Sequence, residues 1–313
     1  TAMPRFATQS PDGQSVIFES MGRLYVKRSD TEAKRLTRDT SDAVEFSPAF
    51  SPDGKDVYYL TWSDDALGSV RKVSARGGRP QNVLATPGHY VDLSVSSDGE
   101  TLLFAKLSGS ALTNPHWGNK PGIYTFNIGD DEAQFVSRRG RSPHFGPEDR
   151  IYANERASSA VGRGSDDAST ELISMNHDGE DVRTHASSPL ATVIRMSPVG
   201  KHVAYREAGR LYVAALPITG RSIDLSAIPN NASGPAAFAT ERVSAPGGEF
   251  IHWNADGTSL TWSVGPRFFQ YSVDGSLGTG TNEARQIADL SLSVDSDRPR
   301  GLVAVTNARV ITM

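Results

Sequence analysis

Apolar residues in this chain come in short unbroken runs, and each run follows the same kind of polar turn. Ser10-Pro11-Asp12-Gly13 precedes Val16-Ile17-Phe18, and Ser51-Pro52-Asp53-Gly54 precedes Val57-Tyr58-Tyr59-Leu60. Ser96-Ser97-Asp98-Gly99 leads into Leu102-Leu103-Phe104, Ser197-Pro198-Val199-Gly200 into Val203-Ala204-Tyr205, and Asn254-Ala255-Asp256-Gly257 into Leu260-Thr261-Trp262. A worn copy, Gly146-Pro147-Glu148-Asp149, stands before Ile151-Tyr152. Proline presets φ at the first central turn position, aspartate suits the second, and glycine follows, so each signature predicts a tight hairpin turn. The β-branched and aromatic run behind it predicts a strand. Apolar residues that run together, instead of alternating, predict a strand covered on both faces.

A third strand is expected at Gly22-Arg23-Leu24-Tyr25-Val26, Gly122-Ile123-Tyr124-Thr125-Phe126 and Gly209-Arg210-Leu211-Tyr212-Val213. A more polar fourth follows in some units, as at Lys34-Arg35-Leu36-Thr37. The anchors Gly13, Gly54, Gly99, Asp149, Gly200 and Gly257 are spaced by 41, 45, 50, 51 and 57 residues. Spacing of this size marks propeller blades. The expectation is an all-β chain: a six-bladed β-propeller of four-stranded antiparallel blades. A β-sandwich with similar turns is the alternative, but it has no reason to keep such a period. No long amphipathic helical stretch argues for an α/β fold.

Composition narrows the chemistry. The 313 residues carry 32 basic and 36 acidic side chains and no cysteine. Disulfides, thiol nucleophiles and cysteine-ligated metals are excluded. The charge balance offers no broad cationic surface for nucleic acid and no polybasic membrane anchor. Mean hydropathy is −0.38, and no apolar run approaches the roughly 18 residues that would imply membrane insertion. Thr1-Ala2-Met3-Pro4-Arg5 does not read as a secretion signal, as would also hold for a mature or cut chain. Loops are expected at residues 157–170, 222–240 and 275–281. Asp166-Asp167 in the first reads as solvated loop, since two carboxylates fall short of a calcium shell.

The Ser-Pro-Asp-Gly-Lys unit with its aromatic strand resembles the repeat of the TolB-like, tricorn-type propeller family across nearly the whole chain. Pro87-Gly88-His89-Tyr90, Trp117-Gly118-Asn119-Lys120-Pro121-Gly122-Ile123-Tyr124 and Gly247-Gly248-Glu249-Phe250-Ile251-His252-Trp253 resemble the propeller that precedes a metal-dependent amidohydrolase domain in some bacterial proteins. The tail Arg298-Pro299-Arg300-Gly301-Leu302-Val303-Ala304-Val305-Thr306-Asn307-Ala308-Arg309-Val310-Ile311-Thr312-Met313 resembles the first strand of that domain. The resemblance implies a propeller over residues 1–298 and a C-terminal stub over 299–313. It also implies a periplasmic or secreted location. A second reading has residues 302–311 closing the ring as a missing blade strand, a role Pro4–Gln9 could also fill.

Candidate chemistry is sparse. The histidines are 89, 116, 144, 177, 185, 202 and 252, and no two flank a single residue. The His-x-His zinc pair of an amidohydrolase is therefore missing, so zinc is expected only in a separate hydrolase domain, with no cofactor in this chain. Gly-x-Ser-x-Gly, phosphate-loop and RNA-binding signatures are also absent from the sequence. What remains is a set of His-aromatic pairs ahead of turns: His89-Tyr90, His144-Phe145 and His252-Trp253. His116, Trp117 and Glu249 are expected nearby. His89, Tyr90, His116, Trp117, His144, Glu249 and His252 are candidates for a polar rim at the channel mouth that contacts a peptide, a small substrate or another domain. Two other readings stand beside it: the histidines cap blade ends, or His89, His144 and His252 hold a metal. Arg138-Arg139-Gly140-Arg141 reads as a solvated turn. The functional expectation is a non-catalytic module serving a downstream hydrolase domain or a protein or peptide partner. The alternatives are a stand-alone interaction propeller and an enzyme working within the ring.

Overall fold

A computed structural model describes residues 3–29, 31–38, 41–108, 120–157, 169–216, 221–225, 239–245, 247–273, 277, 283–294, 301, 304, 306, 307 and 309. Among these the chain is nearly all strand, with one 3-10 turn at Pro147–Asp149 and no α-helix. The first sheet holds β1 (Arg5–Gln9), β2 (Ser15–Ser20), β3 (Arg23–Arg28) and β4 (Lys34–Arg35) in that order. A seven-stranded sheet follows: β5 (Val44–Phe50), β6 (Asp56–Ser63), β7 (Leu67–Ser74), β8 (Gln81–Val95), β9 (Thr101–Leu107), β10 (Gly122–Asn127) and β11 (Gln134–Ser137). Next come β12 (Arg141–Phe145), β13 (Ile151–Ala157), β14 (Ser169–Met175), β15 (Arg183–Ser188), β16 (Ala191–Met196), β17 (His202–Glu207), β18 (Arg210–Ala215), β19 (Ile223–Asp224) and β20 (Thr240–Arg242). They make a sheet β12-β13-β14-β15-β19 and a sheet β16-β17-β18-β20. The last sheet runs β21 (Glu249–Trp253), β22 (Ser259–Val264), β23 (Arg267–Ser272) and β24 (Arg285–Asp289).

The seven-stranded sheet departs from separate four-stranded units for a local reason. Strand β8 stays extended for 15 residues. Its first half pairs with β7 as far as Gly88, and its second half pairs with β9 from His89 onward. The chain stays extended through Pro87-Gly88 between the two halves, so one strand joins them. Strand β19 is a second departure. It leaves the long insertion after β18 and pairs in parallel with β15, through Ala186 with Ile223 and Ser187 with Asp224.

The turns close as their sequence requires. Gly13, Gly54, Gly99, Gly200 and Gly257 take φ between 68° and 79°, the left-handed region that glycine enters without steric cost. Each glycine N–H donates to the carbonyl of the first turn residue at 2.9–3.0 Å. In three turns the leading serine hydroxyl bonds the aspartate: Ser10 to Asp12 at 2.5 Å, Ser51 to Asp53 at 2.7 Å and Ser96 to Asp98 at 2.5 Å. Those aspartates also accept a backbone N–H two residues on; the serine hydroxyl and then this N–H hold the Asp12 and Asp98 carboxyls below the usual range, whereas for Asp53 the Lys55 ammonium acts first, followed by Ser51 and the backbone bond. Successive turns touch. A Cβ at Gly99 would lie 3.2 Å from the Pro52 ring, and one at Gly200 would lie 3.0 Å from Pro147.

Behind the turns, the second strand of each unit feeds two different clusters. In β2, Ile17 joins Leu24, Val57 and Tyr59, whereas Val16 and Phe18 join Phe268 and Leu290. In β6, Val57 and Tyr59 face one way, and Tyr58 and Leu60 pack with Leu102 and Phe104 on the other. In β9, Leu103 turns to Ile151 and Ile173. Tyr152 of β13 and Ala204 of β17 continue the series, Tyr152 toward Val203 and Ala204 toward Leu260 and Trp262. The series returns to its start, because Ala7 and Phe18 of the first sheet share a cluster with Phe268 and Leu290 of the last.

Pro4–Gln9, raised as a closing segment, includes β1 as the leading strand of the first sheet. The last sheet has all four strands within Glu249–Asp289. Most of the tail 299–313 lies outside the described residues, as do 158–168, 226–238 and most of 274–282.

The turn glycines separate strain from crowding. Gly13 and Gly257 share a left-handed φ, but a Cβ at Gly13 would meet only the flexible Gln9 side chain at 3.6 Å, whereas one at Gly257 would press on Val199 at 2.8 Å. Gly13→Ala is expected to cost about 1 kcal/mol and Gly257→Ala about 2 kcal/mol, read from urea unfolding of the two variants beside the wild type.

Candidate functional site

The leading strand of every unit lines one central cavity of about 820 Å³. Strands β1, β5, β8, β12, β16 and β21 all contribute, and the turns Ser10-Pro11, Ser51-Pro52, Ser96-Ser97 and Gly146-Pro147 border one end. Each leading strand carries an irregularity against its neighbour, placed between residues such as Arg5 and Thr8, Phe46 and Ala49, or Glu249 and His252. The bulged residue lies seven positions before the turn anchor. It is Phe6, Ser47, Asp92, Ser142 or Phe250, each with φ between 50° and 57°. An L-residue held there costs about 1–2 kcal/mol, and a bulge re-aims the side chains that follow it.

Those following side chains form a layer. Five positions before each anchor stand Thr8, Ala49, Ser94, His144, Arg195 and His252, and all six line the cavity. One half of the layer is small, with hydroxyls on Thr8 and Ser94 and a methyl on Ala49; the other half is His-Arg-His. His144 is buried and ties two units together. Its Nε2 accepts the Met196 N–H at 3.0 Å, so its Nδ1 carries the proton toward the Ser142 carbonyl at 3.2 Å. Burial, then the Arg195 charge, pushes the His144 pKa down to about 3. The same two causes push His252 down to about 4. Both rings are neutral at pH 7. The Arg195 guanidinium reaches the Ser142 carbonyl through Nη1 at a long 3.5 Å. Burial lowers its pKa, while the Asp92 charge opposes that shift.

Glu249 sits at the cavity edge in an ion pair with Arg206, whose Nε also donates to Thr192 Oγ1 at 2.9 Å. An aromatic wall lies beside it: the Phe6 ring is 4.9 Å from Phe250 and 6.0 Å from Phe46. Arg5 lies over Phe6 at 5.1 Å.

The candidate residues from the sequence therefore divide. His144, Glu249 and His252 meet at the cavity. His89 and Tyr90 do not line it. His89 is exposed on β8, opposite Leu107, with its ring 4.8 Å from Trp62. It stands ten residues before Gly99, not five, so it is not equivalent to the other two histidines. Tyr90 is buried and donates to the Thr86 carbonyl at 2.8 Å; burial pushes its pKa up to about 12. Its ring fills the space a Cβ on Gly88 would need, which explains the Pro87-Gly88-His89-Tyr90 string as packing. His116 and Trp117 lie outside the described residues. The metal reading of His89, His144 and His252 does not assemble, because His89 is elsewhere and both ring nitrogens of His144 are engaged. Among the described residues no three His, Asp or Glu side chains are placed to hold a metal ion. In the basic cluster, Arg139 pairs with Glu155 at 2.6 Å. Asp92 and Arg195 went unnoticed in the sequence, although counting five or seven places back from each turn anchor marks both.

Solved structures share this fold. A candidate TolB from Agrobacterium tumefaciens is 18% identical with a TM-score of 0.56, over 82% of this chain and 86% of that one. TolB from Acinetobacter baumannii is 16% identical with a TM-score of 0.53, over 89% and 64%. An oligogalacturonate lyase solved in complex with manganese is 15% identical with a TM-score of 0.55, over 90% and 75%. The fold is a TolB-like β-propeller. At these identities the likeness extends to architecture alone. No family profile and no curated protein sequence matches the chain.

The neutral histidines give stability a pH dependence. Below the ordinary value of 6.5 the unfolded chain takes up protons that His144 and His252 do not, so stability falls as pH drops from 6.5 toward the folded values near 3 and 4. His252→Gln is expected to lose roughly 1–2 kcal/mol less than wild type between pH 7.5 and pH 5. Urea unfolding at the two pH values measures the difference.

Proposed function

We propose that this chain is a non-catalytic β-propeller module that docks a protein partner. Its sheets are counted as six four-stranded blades by dividing β8 after Gly88 and assigning β19 to the insertion of the fifth unit. The observation that carries the docking reading is a row of exposed apolar side chains along the hairpin ends opposite the turns. Met21 is 56% exposed, Val44 44%, Leu67 43% and Leu107 42%. They are linked on the surface. Val44 packs over Gly22 and pairs with Trp62, the Trp62 ring lies 4.8 Å from that of His89 at a tilt, and His89 pairs with Leu107. Leu67 closes the same hairpin opposite Ser63. Large exposed side chains scattered singly need no explanation, but a contiguous strip of them is the signature of a protein contact. His89 thus keeps a place among the binding candidates, outside the cavity.

The finer assignments belong to the same proposal. A service to a metal-dependent amidohydrolase domain rests on the resemblance of the tail after Arg298, and this module's part in it would be to position or admit substrate. No cofactor in this chain is part of that reading. A periplasmic or secreted setting is supported by the TolB-like fold.

The strip is tested by charge. Leu67→Glu combined with Leu107→Glu is expected to leave the unfolding midpoint within about 2 °C, since exposed substitutions cost little. Val199→Glu, on the turn face, is the control. The reading predicts a protein partner that binds wild type and the control in purified form and binds the double variant at least tenfold more weakly. Equal binding to all three, or a loss confined to the control, would refute it.

A further inference from the structure

Asp92 and Arg195 carry opposite charges into the same cavity and do not neutralise each other by contact. Asp92 stands at the bulge of β8 and Arg195 in the six-residue layer of β16, with β12 between them. Both are half-buried. Among the described residues Asp92 has no hydrogen-bond partner for its carboxylate and Arg195 only the long contact to Ser142, and no ion pair joins the two. They are near enough to feel each other's charge. Half-buried charges of this kind are costly unless something pairs them. The neighbouring His144 and His252 are neutral, the outer Arg206–Glu249 pair is satisfied, and the carboxylates that line the turn end have partners of their own, Asp98 in Ser96, Glu148 in Arg183 and Asp149 in His177, which leaves Asp92 and Arg195 as the two charges without a close partner among the described residues.

Aromatic side chains contribute to the wall beside the two charges. Phe6 and Phe250 line one side, and Phe50, Phe145 and Trp253 line positions toward the turns. The volume of about 820 Å³ falls in the range of small-molecule sites, roughly 300–1,000 Å³. A separated cation and anion flanked by aromatic surface complement a small molecule that bears both charges and an apolar body.

We propose that the propeller cavity binds a small zwitterion of the amino-acid type, a free α-amino acid or dipeptide with an apolar side chain, with Arg195 taking its carboxylate and Asp92 its ammonium group. The planar guanidinium fork matches a carboxylate in two-bond geometry. The His252 ring supplies a further hydrogen bond, and the side chain rests on the Phe6–Phe250 wall. This site is independent of the strip that docks a partner.

The test is titration calorimetry on the whole chain at pH 7.5 with phenylalanine, leucylphenylalanine, phenylalaninamide and N-acetylphenylalanine. At least one of the two zwitterions is expected to bind, and the amide and the N-acetyl form, each lacking one charge, at least tenfold more weakly than phenylalanine or its dipeptide. Arg195→Gln should erase the preference for the free acid over the amide. Asp92→Asn should erase the preference for the free amine over the N-acetyl form. Arg195→Lys, which keeps the charge without the fork, serves if the glutamine variant does not fold, and should weaken the zwitterion at least fivefold. Absence of binding by either zwitterion, equal binding of blocked and free forms, or preferences unchanged in folded variants would overturn the proposal. None of these results involves a protein partner, so failure here leaves the docking strip to its own test.

Discussion

Burial of one strand on both of its faces is the constraint from which this structure follows. Ile17 and Phe18 are adjacent in β2, both are fully buried, and they point into different clusters. A strand of that kind needs a neighbouring sheet on each side, and so does every neighbour. A stack of such sheets would leave two apolar faces exposed at its ends; a ring leaves none. The closing seam is where Phe18 meets Phe268 and Leu290. Among the described residues it has five buried members, with Tyr25, Ala33, Ile287, Ala288 and Leu292 packed against them. Each large side chain buried there contributes roughly 1.5–3 kcal/mol, which has to offset the ordering of two chain ends distant in sequence.

The turns and doubly covered strands were legible in the sequence because both are local. Glycine at positive φ and unbroken apolar runs leave marks within ten residues. What escaped was set by strands far apart. The fifteen-residue β8 crosses from one unit to the next because Thr86-Pro87-Gly88 stays extended around the Tyr90 ring, so the turn signal that Pro87-Gly88 gives is overridden by packing. Strand β19 pairs with β15 across a gap of more than thirty residues, a contact that no local pattern announces. The buried Arg150 was equally silent: its bonds to Ser174, Asn176 and Asp181 depend on where β13 and β14 place those residues.

The candidate site was half legible for a related reason. His144 and His252 drew notice as histidines beside aromatics, and the cavity does bring them together. His89 matched the same dipeptide pattern at the wrong distance from its turn, and in a repeat protein distance from the anchor decides which way a side chain points. Arg195 occupies the same layer as the two histidines and was passed over because it lies next to no aromatic residue. Its presence explains part of their chemistry. A guanidinium between a buried and a half-buried imidazole disfavours a second positive charge, so desolvation and repulsion act in the same direction on both rings.

The left-handed bulge explains why the layer exists at all. A flat leading strand would alternate its side chains between two neighbouring sheets, as the second strand does, and would present little to the axis. The bulge at Phe6, Ser47, Asp92, Ser142 and Phe250 rotates the residues behind it, so that the position two places on turns inward. The equivalent residue in β16 is Val193, and there the irregularity persists without a left-handed φ. A β-branched side chain tolerates that region worst, so β16 reaches a similar result by another backbone path. Arg195, the only formal charge in the layer, is on the one strand that differs. Strand geometry and cavity chemistry are therefore the same feature: the backbone departure that spoils regular pairing is what aims polar side chains at the axis.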